Sequence, residues 1–244
     1  MHDRAGAPDS GRVSVDLIDV DRIYSSEVET VRAVKAVTLS VSVGEFVAVM
    51  GPSGCGKSTL LNLIAGIDVP SSGRVIVAGS DIGGRREAER TAHRLRTTGV
   101  IFQEHRLLPE LTACENVMLP LEVMGRAAPT ARSHAEEALA RTGLAGLGAR
   151  FPDQLSGGQR QRVGIARGIV GGRRLLLADE ATGALDSETS ESIYALLSRL
   201  AEDGCTVIAA THDPEATRWV TRVVQMRDGA VVADQPTATT KMTS

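Results

Sequence analysis

The stretch Gly51–Thr59 constrains this sequence more than any other feature. It reads Gly-Pro-Ser-Gly-Cys-Gly-Lys-Ser-Thr, follows the apolar run Phe46–Met50 and leads into a helical run that starts at Leu60. The order of strand, glycine-rich turn and helix is the context of a phosphate-binding P-loop, in which backbone N–H groups converge on phosphate oxygens at a helix N-terminus. The sequence therefore predicts an α/β fold that binds a nucleotide.

Within this turn, two side chains have specific predicted roles. Lys57 is expected to reach the β- and γ-phosphates, and the hydroxyl of Ser58 is expected to bind Mg²⁺. A bulky adduct on the Cys55 thiol is expected to block nucleotide entry. ATP and Mg²⁺ are thus the predicted ligands. The predicted ATP contacts are Gly51, Pro52, Ser53, Gly54, Cys55, Gly56, Lys57, Ser58 and Thr59.

Composition limits the partners of the chain. Its 244 residues carry a net charge of −3 and only 2% aromatic residues, so we expect no nucleic acid partner. No run approaches the ~18 apolar residues of a membrane-spanning helix, and the polar N-terminus has no signal-peptide core. Any link to a membrane is therefore expected to pass through a partner. Cys55, Cys114 and Cys205 are widely spaced, which indicates free thiols in a reducing compartment.

The strand patterns are of two kinds, which predicts a mixed sheet core. Alternating apolar and polar residues at 13–20 and 37–43 are typical of half-buried antiparallel strands, and a hairpin over 70–79 extends this antiparallel β subdomain. A second hairpin is expected near the C-terminus, with Asp228 and Gly229 at its tip. Continuous apolar runs, typical of parallel strands covered on both faces, lie at 46–50, 99–102, 175–179 and 206–211.

Helical patterns fill most of the remaining chain. No strand pattern lies between about 105 and 170, so this stretch is expected to be a helical subdomain inserted between two parallel strands. Residues 1–11 and 235–244 are polar and are expected to be disordered, which leaves a single domain over 12–234. The predicted helices span 57–67, 87–97, 112–125, 130–142, 157–170 and 187–202.

The apolar run Leu175–Asp179 is followed by Glu180, so that a strand ends in two carboxylates. A buried strand can end in acids simply because it reaches solvent. Beside a P-loop, however, Asp179 is expected to hold Mg²⁺, directly or through water, and Glu180 to orient and deprotonate the attacking water. General bases contribute ~10²–10⁴-fold, so removal of Glu180 should nearly abolish hydrolysis while sparing binding.

The segment 155–159 reads Leu-Ser-Gly-Gly-Gln and opens the helix predicted at 157–170. A Ser-x-x-Gln capping box explains Ser156 and Gln159 but neither glycine, and each glycine inside a helix costs ~1 kcal/mol relative to alanine. Paired glycines at a helix start favour the close approach of an anion or another backbone. Because Gly51–Thr59 is already a complete phosphate cradle, this segment is expected to contact a nucleotide held by another subunit.

In their order and spacing, these three segments resemble the ATP-binding-cassette (ABC) ATPases, and the resemblance covers about residues 13–234. It implies a P-loop NTPase fold of the ABC type, with an antiparallel β subdomain and an inserted helical subdomain. It implies a head-to-tail dimer, expected to be a homodimer, that sandwiches two ATP molecules and hydrolyses them. The residues implied to contact ATP in the partner subunit are Ser156, Gly157, Gly158, Gln159 and Asp186.

The resemblance also assigns single positions. Gln103 resembles the glutamine that touches Mg²⁺ and water, His212 the histidine that contacts the γ-phosphate, and Tyr24 the aromatic residue that stacks on adenine. Two positions depart from the family pattern. Ala181 stands where proline is usual, and Ala184 stands where serine or asparagine is common. The implied catalytic set is unchanged by these departures: Lys57, Gln103, Glu180 and His212.

The implied partner is an integral membrane permease on a separate chain, which places this subunit peripherally at the cytoplasmic face of the cell membrane. We hypothesise that Leu107 and Leu108 form an apolar groove for a permease helix, whereas Leu111 packs in the core. The segments 58–68 and 111–121 resemble the lipoprotein-releasing, macrolide-exporting and cell-division (FtsE-like) branch, which implies export, extraction or mechanotransmission. A solute importer is the nearer alternative, and a non-transport ABC ATPase the more distant one.

Overall fold

A computed structural model describes residues 13–26 and 28–237, so the segment 1–11, predicted to be disordered, lies outside the described residues. The elements follow one another in the mixed order that the sequence predicts. They are β1 (Val13–Ser25), β2 (Thr30–Ser42), β3 (Phe46–Met50), α1 (Lys57–Ile64), β4 (Ser72–Val77), β5 (Ser80–Asp81), α2 (Glu87–Thr97), β6 (Thr98–Phe102), α3 (Ala113–Val123), α4 (Ala128–Arg141), α5 (Gly157–Ile169), β7 (Leu175–Asp179), α6 (Ser187–Glu202), β8 (Thr206–Thr211), β9 (Arg222–Arg227) and β10 (Ala230–Pro236).

The larger sheet has six strands in the order β10-β9-β3-β8-β7-β6. All its neighbouring pairs are parallel except β10 with β9. Both faces are covered, since Val47 and Val49 of β3 enter one apolar cluster while Phe46 and Ala48 enter the other. This explains the continuous apolar runs. The pairing also brings the carboxyl ends of β3, β6, β7 and β8 to one edge, where ligands of open α/β sheets bind.

The smaller sheet is antiparallel, in the order β2-β1-β4-β5. Its buried face packs on α1, and the cluster between the two sheets includes Leu17 of β1, Val49 of β3 and Leu60 and Leu63 of α1. Each such leucine, when fully buried, contributes about 1.5–3 kcal/mol to stability. Helix α1, which starts at the end of the P-loop, is therefore fixed by apolar packing on two sides.

Helices α3, α4 and α5 pack on one another between β6 and β7, and no strand interrupts them among the described residues. Helix α5 also packs on β6, so that it joins the helical region to the larger sheet. The apolar cluster runs through Val117 of α3, Val163 of α5 and Leu197 of α6. Among the residues that the structure describes, no helix combines the length and the apolar character needed to cross a bilayer.

Several predicted boundaries differ from the structure, most of all at β2, which starts at Thr30 and not at 37. Strand β1 continues to Ser25, five residues past its predicted end at 20, because it stays paired with β2 as far as Thr30. Strand β10 runs to Pro236, and the N–H of Thr237 donates to the carbonyl of Thr221 at 3.0 Å. The prediction that disorder starts at 235 is therefore wrong for residues 235–237, and the rest of that predicted tail lies outside the described residues.

Candidate nucleotide-binding site

The P-loop joins β3 to α1 through glycines that no other residue could replace without strain. Gly51, Gly54 and Gly56 have φ angles of 158°, 79° and 102°. A Cβ on Gly51 would lie 2.2 Å from the carbonyl oxygen of Met226, and one on Gly56 would lie 2.2 Å from that of Ala33. Within the part of the chain that the structure describes, no side chain caps α1, so its first N–H groups keep their capacity for an anion.

Lys57 is 7% exposed and lies on the inner side of this turn. Its Nζ donates to the carbonyl oxygens of Gly51 at 2.8 Å and Pro52 at 3.1 Å. The ammonium group is therefore hydrogen-bonded to two backbone carbonyls, and it can exchange these acceptors for phosphate oxygens when a nucleotide binds. A charged acceptor in that position makes the stronger hydrogen bond.

Ser58 and Asp179 come together across the sheet edge, where the Ser58 hydroxyl donates to Oδ1 of Asp179 at 3.0 Å. Burial raises the pKa of the Asp179 carboxyl, with a smaller contribution from the Glu180 charge, while the Ser58 hydrogen bond and Lys57 oppose the shift. A cation between these groups would favour the ionised carboxylate.

These two side chains fit Mg²⁺. Magnesium prefers oxygen ligands at ~2.1 Å in octahedral geometry, which places neighbouring ligand oxygens about 3 Å apart. The Ser58 and Asp179 oxygens are 3.0 Å apart and adjoin the phosphate cradle, so both would be available to hold one such ion.

Glu180 and His212 form the other polar pair at this edge. His212 Nδ1 lies 3.0 Å from Oε1 and 2.9 Å from Oε2 of Glu180. The Glu180 backbone has φ of 50°, a left-handed conformation that costs a non-glycine residue ~1–2 kcal/mol. Its N–H donates to the Ala210 carbonyl at 3.0 Å, which anchors the residue at the sheet edge. Such strain at a site of converging polar groups is typical of functional positions.

A depression of about 710 Å³ adjoins the P-loop. Sequence reasoning missed one of its walls, which is built by the first half of β2 and by the β9–β10 turn, both far from the P-loop in sequence. Tyr24 and residues 155–159 do not line it. The lining residues are Glu29, Thr30, Val31, Arg32, Ala33, Lys35, Ser53, Gly54, Gly56, Lys57, Ser58, Thr59, Glu180, Asp228 and Gly229.

Tyr24 makes contacts of its own within the smaller sheet. Its hydroxyl donates to Asp68 Oδ2 at 2.6 Å, and the Arg22 guanidinium lies 4.4 Å from the centre of its ring. Arg22 also pairs with Asp68 at 2.8 Å. The arginine thus covers one face of the ring. Adenine stacking on Tyr24 stays a prediction, and it would use the other face or displace the arginine.

Gln103 follows β6 directly and is exposed. Its amide lies beside the turn after Glu180, because Nε2 is 3.1 Å from the position of a Cβ built on Gly183. The preceding residue, Phe102, pairs with Asp179. Gln103 therefore sits at the same sheet edge, although it makes no hydrogen bond to Ser58 or Asp179 among the described residues.

The start of α5 is a complete capping box. Ser156 Oγ accepts from the N–H of Gln159 at 3.2 Å, and Gln159 Oε1 accepts from the N–H of Ser156 at 2.9 Å. A Cβ on Gly158 would lie 2.5 Å from Cγ2 of Thr189 in α6, whereas one on Gly157 would make an ordinary 3.4 Å contact with Leu185. Gly158 is therefore needed for packing inside the chain, and its contact with a partner's nucleotide stays a prediction.

Asp186 caps α6 and lies close to the same place. Its Oδ1 accepts from the N–H of Thr189 at 2.8 Å, and its Oδ2 accepts from the Thr189 hydroxyl at 2.8 Å. These two hydrogen bonds lower the pKa of the Asp186 carboxyl, and the bond from the Thr189 backbone has the larger effect. Asp186 and Ser156 are both exposed, so the residues predicted to act on a partner's nucleotide share a surface region separate from the P-loop depression.

Two further expectations depend on the burial of side chains. Cys55 is 4% exposed and belongs to the core between the sheets, so its thiol does not lie against the phosphates, and the effect of an adduct on nucleotide entry stays a prediction. Leu107 is partly buried against the other apolar cluster, so only part of its side chain is open to a surface groove. Leu108 is 46% exposed and keeps that possibility.

Comparison with known proteins agrees with this geometry. The profile of a family described as ABC transporter matches residues 34–183, more than half of the sequence. The chain belongs to this family. It is 44% identical over 225 residues to the lipoprotein-releasing system ATP-binding protein LolD of Anaeromyxobacter dehalogenans, with 91% of this chain and 94% of that protein covered.

Two other comparisons extend the result. The chain is 46% identical over 220 residues to the macrolide export ATP-binding/permease protein MacB of Chromobacterium violaceum, covering 90% of this chain but only 34% of that protein. It matches a solved dimeric, post-hydrolysis structure of the ATP-binding cassette MJ0796 bound to ADP and Pi, with TM-score 0.83, 40% identity and coverage of 91% and 98%. The predicted fold is confirmed, and these relatives agree with the branch that the sequence resembles.

Proposed function

We propose that this chain is the ATP-binding and ATP-hydrolysing subunit of an ABC transporter. The observation that carries the proposal is the convergence of Lys57, Ser58, Asp179, Glu180 and His212 at one edge of the larger sheet, beside an uncapped helix N-terminus. These groups supply phosphate binding, oxygen ligands and a carboxylate base within one site. That combination is what hydrolysis of a phosphoanhydride by water requires.

In the proposed mechanism, the α1 N–H groups and Lys57 bind the β- and γ-phosphates. Ser58 and Asp179 would hold Mg²⁺, with Gln103 beside them, and the bound ion would neutralise phosphate charge. Glu180 orients the attacking water and accepts its proton. His212, in contact with both Glu180 oxygens, keeps that carboxylate in place and reaches the γ-phosphate.

We further propose that two copies pair head to tail, and that Tyr24 stacks on adenine. In such a pair, Ser156–Gln159 and Asp186 of one copy would complete the site formed by Gly51–Thr59 of the other. The separation of these two surfaces on a single chain supports this arrangement. The dimeric cassette that this chain resembles supports it as well.

Substitution of Glu180 tests the reaction. Glu180→Gln should lower ATP hydrolysis by ~10²–10⁴-fold, leave ATP binding intact and accumulate an ATP-bound dimer. Phosphate release and light scattering with saturating ATP and Mg²⁺ measure the two effects. Glu202→Gln, an exposed position at the end of α6, is the matched control and should behave as the unsubstituted chain. A Glu180→Gln protein that stays monomeric with saturating ATP would count against the head-to-tail pair.

For the cellular role, we propose a system of the export, extraction or mechanotransmission type, in which an integral membrane permease anchors this subunit at the cytoplasmic face. The resemblance to LolD and MacB supports this branch. The neighbouring gene offers a direct test. A permease with four membrane spans and a large extracytoplasmic domain is expected, whereas a permease with many spans beside a secreted binding protein would favour import.

A groove in the helical region offers a surface for that permease. It has a volume of about 840 Å³ and combines an apolar floor, including Leu121 and Met124, with Arg96, Arg126 and Arg141. Val123 lies in it and is 69% exposed. We propose that an apolar permease segment bearing carboxylates docks there, with Leu108 as a second contact.

Charged substitutions test this surface. Val123→Asp and Leu108→Glu should each reduce copurification with the permease of the neighbouring gene while leaving ATP hydrolysis by the isolated subunit unchanged. Val232→Asp, at a 56% exposed position on β10, is the matched control. Unchanged copurification of both variants would exclude the proposed surface.

A further inference from the structure

Thr189 lies in the first turn of α6 and is held there by two hydrogen bonds to one carboxylate. Its N–H donates to Oδ1 of Asp186 and its hydroxyl to Oδ2, both at 2.8 Å. Threonine is branched at Cβ, so its side chain occupies few rotamers in a helix. Because the hydroxyl is bound to Asp186, rotation of the side chain would break that bond. The direction of the Thr189 methyl group is therefore fixed.

This methyl group points at the start of α5. A Cβ built on Gly158 would lie 2.5 Å from Cγ2 of Thr189, a separation that van der Waals contact does not permit. Gly158 itself has no backbone strain that would require glycine, since its φ is not among the positive values. In a helix, alanine at this position would otherwise be favoured by ~1 kcal/mol. The obstacle to a side chain at 158 is thus the threonine.

Two further contacts hold the start of α5 against the segment after Gln103 and the loop after Glu180. Leu185, next to Asp186, packs against Gly157. On the other side, the ring of His105 lies 3.1 Å from the Gly157 carbonyl oxygen. The start of α5 is therefore enclosed between the segment that follows Gln103 and the loop that follows Glu180. Its position is set by contacts within its own chain.

We propose that Thr189 is a positioning residue for ATP hydrolysis. Its methyl group, oriented by Asp186, limits how closely the start of α5 can approach the loop of residues 180–186, and glycine is required at 158 to permit that approach. This inference rests on the proposed function, because the start of α5 would complete the partner's nucleotide site. A shift of α5 caused by a side chain at 158 would then misplace Ser156 relative to that nucleotide.

A set of four proteins tests the proposal: the unsubstituted chain, Gly158→Ala, Thr189→Ser and the double variant. Gly158→Ala should lower ATP hydrolysis by about tenfold or more, because a small misplacement of a group that positions the substrate is costly in rate. Thr189→Ser keeps the hydroxyl for Asp186 but removes the methyl group. The double variant should therefore recover hydrolysis to that of Thr189→Ser alone, within the roughly twofold scatter of additive cycles.

Two matched controls belong to the design. Gly164→Ala changes another glycine of α5, where a Cβ would meet only a carbonyl oxygen at 3.9 Å, and it should not respond to Thr189→Ser. Thr130→Ser makes the same chemical change at an exposed position on α4, and it should not rescue Gly158→Ala. A double variant as inactive as Gly158→Ala, with Thr189→Ser alone active, would overturn the proposal.

Measurement of ATP-induced dimerisation distinguishes a positioning role from packing that affects only the stability of the chain. In the Glu180→Gln background, Gly158→Ala should weaken the ATP-induced dimer, and Thr189→Ser should restore it. If the unfolding midpoint alone shifts and the folded molecules dimerise equally well, the positioning role is refuted. An unsubstituted chain that does not hydrolyse ATP would instead refute the proposed function. In that case, the unfolding midpoints of the same four proteins would still show whether Thr189 excludes a side chain at 158.

Discussion

Two helices of this molecule begin next to glycines, and their N-termini differ in how their polar groups are satisfied. The N-cap residue of helix α1 is Gly56, which has φ of 102° and offers no side chain to cap the helix. The N-cap residue of helix α5 is Ser156, whose capping box already binds one N–H of the first turn. The first N-terminus is left open to an external anion, whereas the second is partly satisfied by its own chain.

Because of this difference, the N-terminus of α1 can be recognised as a ligand site from a single chain, whereas that of α5 cannot. The glycines of the P-loop are required by positive φ angles and by close backbone contacts at Gly51 and Gly56. Gly157 and Gly158 lie within α5 and have no positive φ angle, and Gly158 is explained by its contact with Thr189. A role of α5 in nucleotide binding therefore depends on a second subunit, while the role of the P-loop does not.

The largest effect is expected from a side chain at Gly56. Gly56→Ala places a Cβ at 2.2 Å from the Ala33 carbonyl at a φ of 102°, so we expect a loss of stability above about 4 kcal/mol and loss of ATP binding. Gly54→Ala is the matched control, since its Cβ would meet no atom within 4 Å and only the backbone angle opposes it, at ~1–2 kcal/mol. Urea unfolding measures both. Equal losses would contradict the proposed contact with Ala33.

The next largest effect is expected at Lys57. Lys57→Met keeps much of the apolar stem but removes the buried charge that is proposed to pair with the phosphates. Truncating one partner of a buried charge pair costs about 2–5 kcal/mol of binding. ATP titration by calorimetry measures the loss. Lys35→Met removes the same charge from the β2 wall of the depression and should weaken ATP binding less. A larger effect at Lys35 would mean that the phosphates lie nearer to β2 than to α1.

Ser156→Ala tests the other helix. The substitution removes one capping hydrogen bond and should lower the free energy of unfolding by ~0.5–2 kcal/mol. ATP binding by the single chain should not change, but ATP-induced dimerisation should weaken. Thr112→Ala removes the equivalent cap of α3 and controls for the stability term alone. If both variants dimerise equally well per folded molecule, Ser156 has no role beyond its own helix.

Much of the fold could be predicted because apolar patterning and buried strands coincide. The four continuous runs became β3, β6, β7 and β8, and the helix predicted at 187–202 matches α6. The outer part of the β1–β2 ladder was missed for a physical reason. Ion pairs of Arg32 with Asp21 and of Arg22 with Asp68 stabilise it, and such charges produce no apolar alternation.

The site was less predictable, since several of its contacts join residues that are far apart in sequence. Local patterns placed Ser58, Asp179 and Glu180 at strand and helix ends, where pairing of the strands brings them together. No local pattern reports that Thr189 packs on Gly158 or that Arg22 covers the Tyr24 ring. These contacts depend on tertiary packing of segments that carry no motif for it.

The smallest effect is expected from modification of the cysteines, and it tests which side of the P-loop faces the core. Cys55 is 4% exposed, and its Sγ would lie 2.7 Å from a Cβ built on Gly51, so the thiol faces the core and the opposite side of the loop faces the ligand. Burial also raises the pKa of the Cys114 and Cys205 thiols, which lowers their reactivity. N-ethylmaleimide should therefore leave the native protein unlabelled and its ATP affinity unchanged, but label all three cysteines in urea. Mass spectrometry that finds Cys55 labelled in the native protein would show that the loop opens, and ATP protection of that residue would then place its thiol on the ligand side.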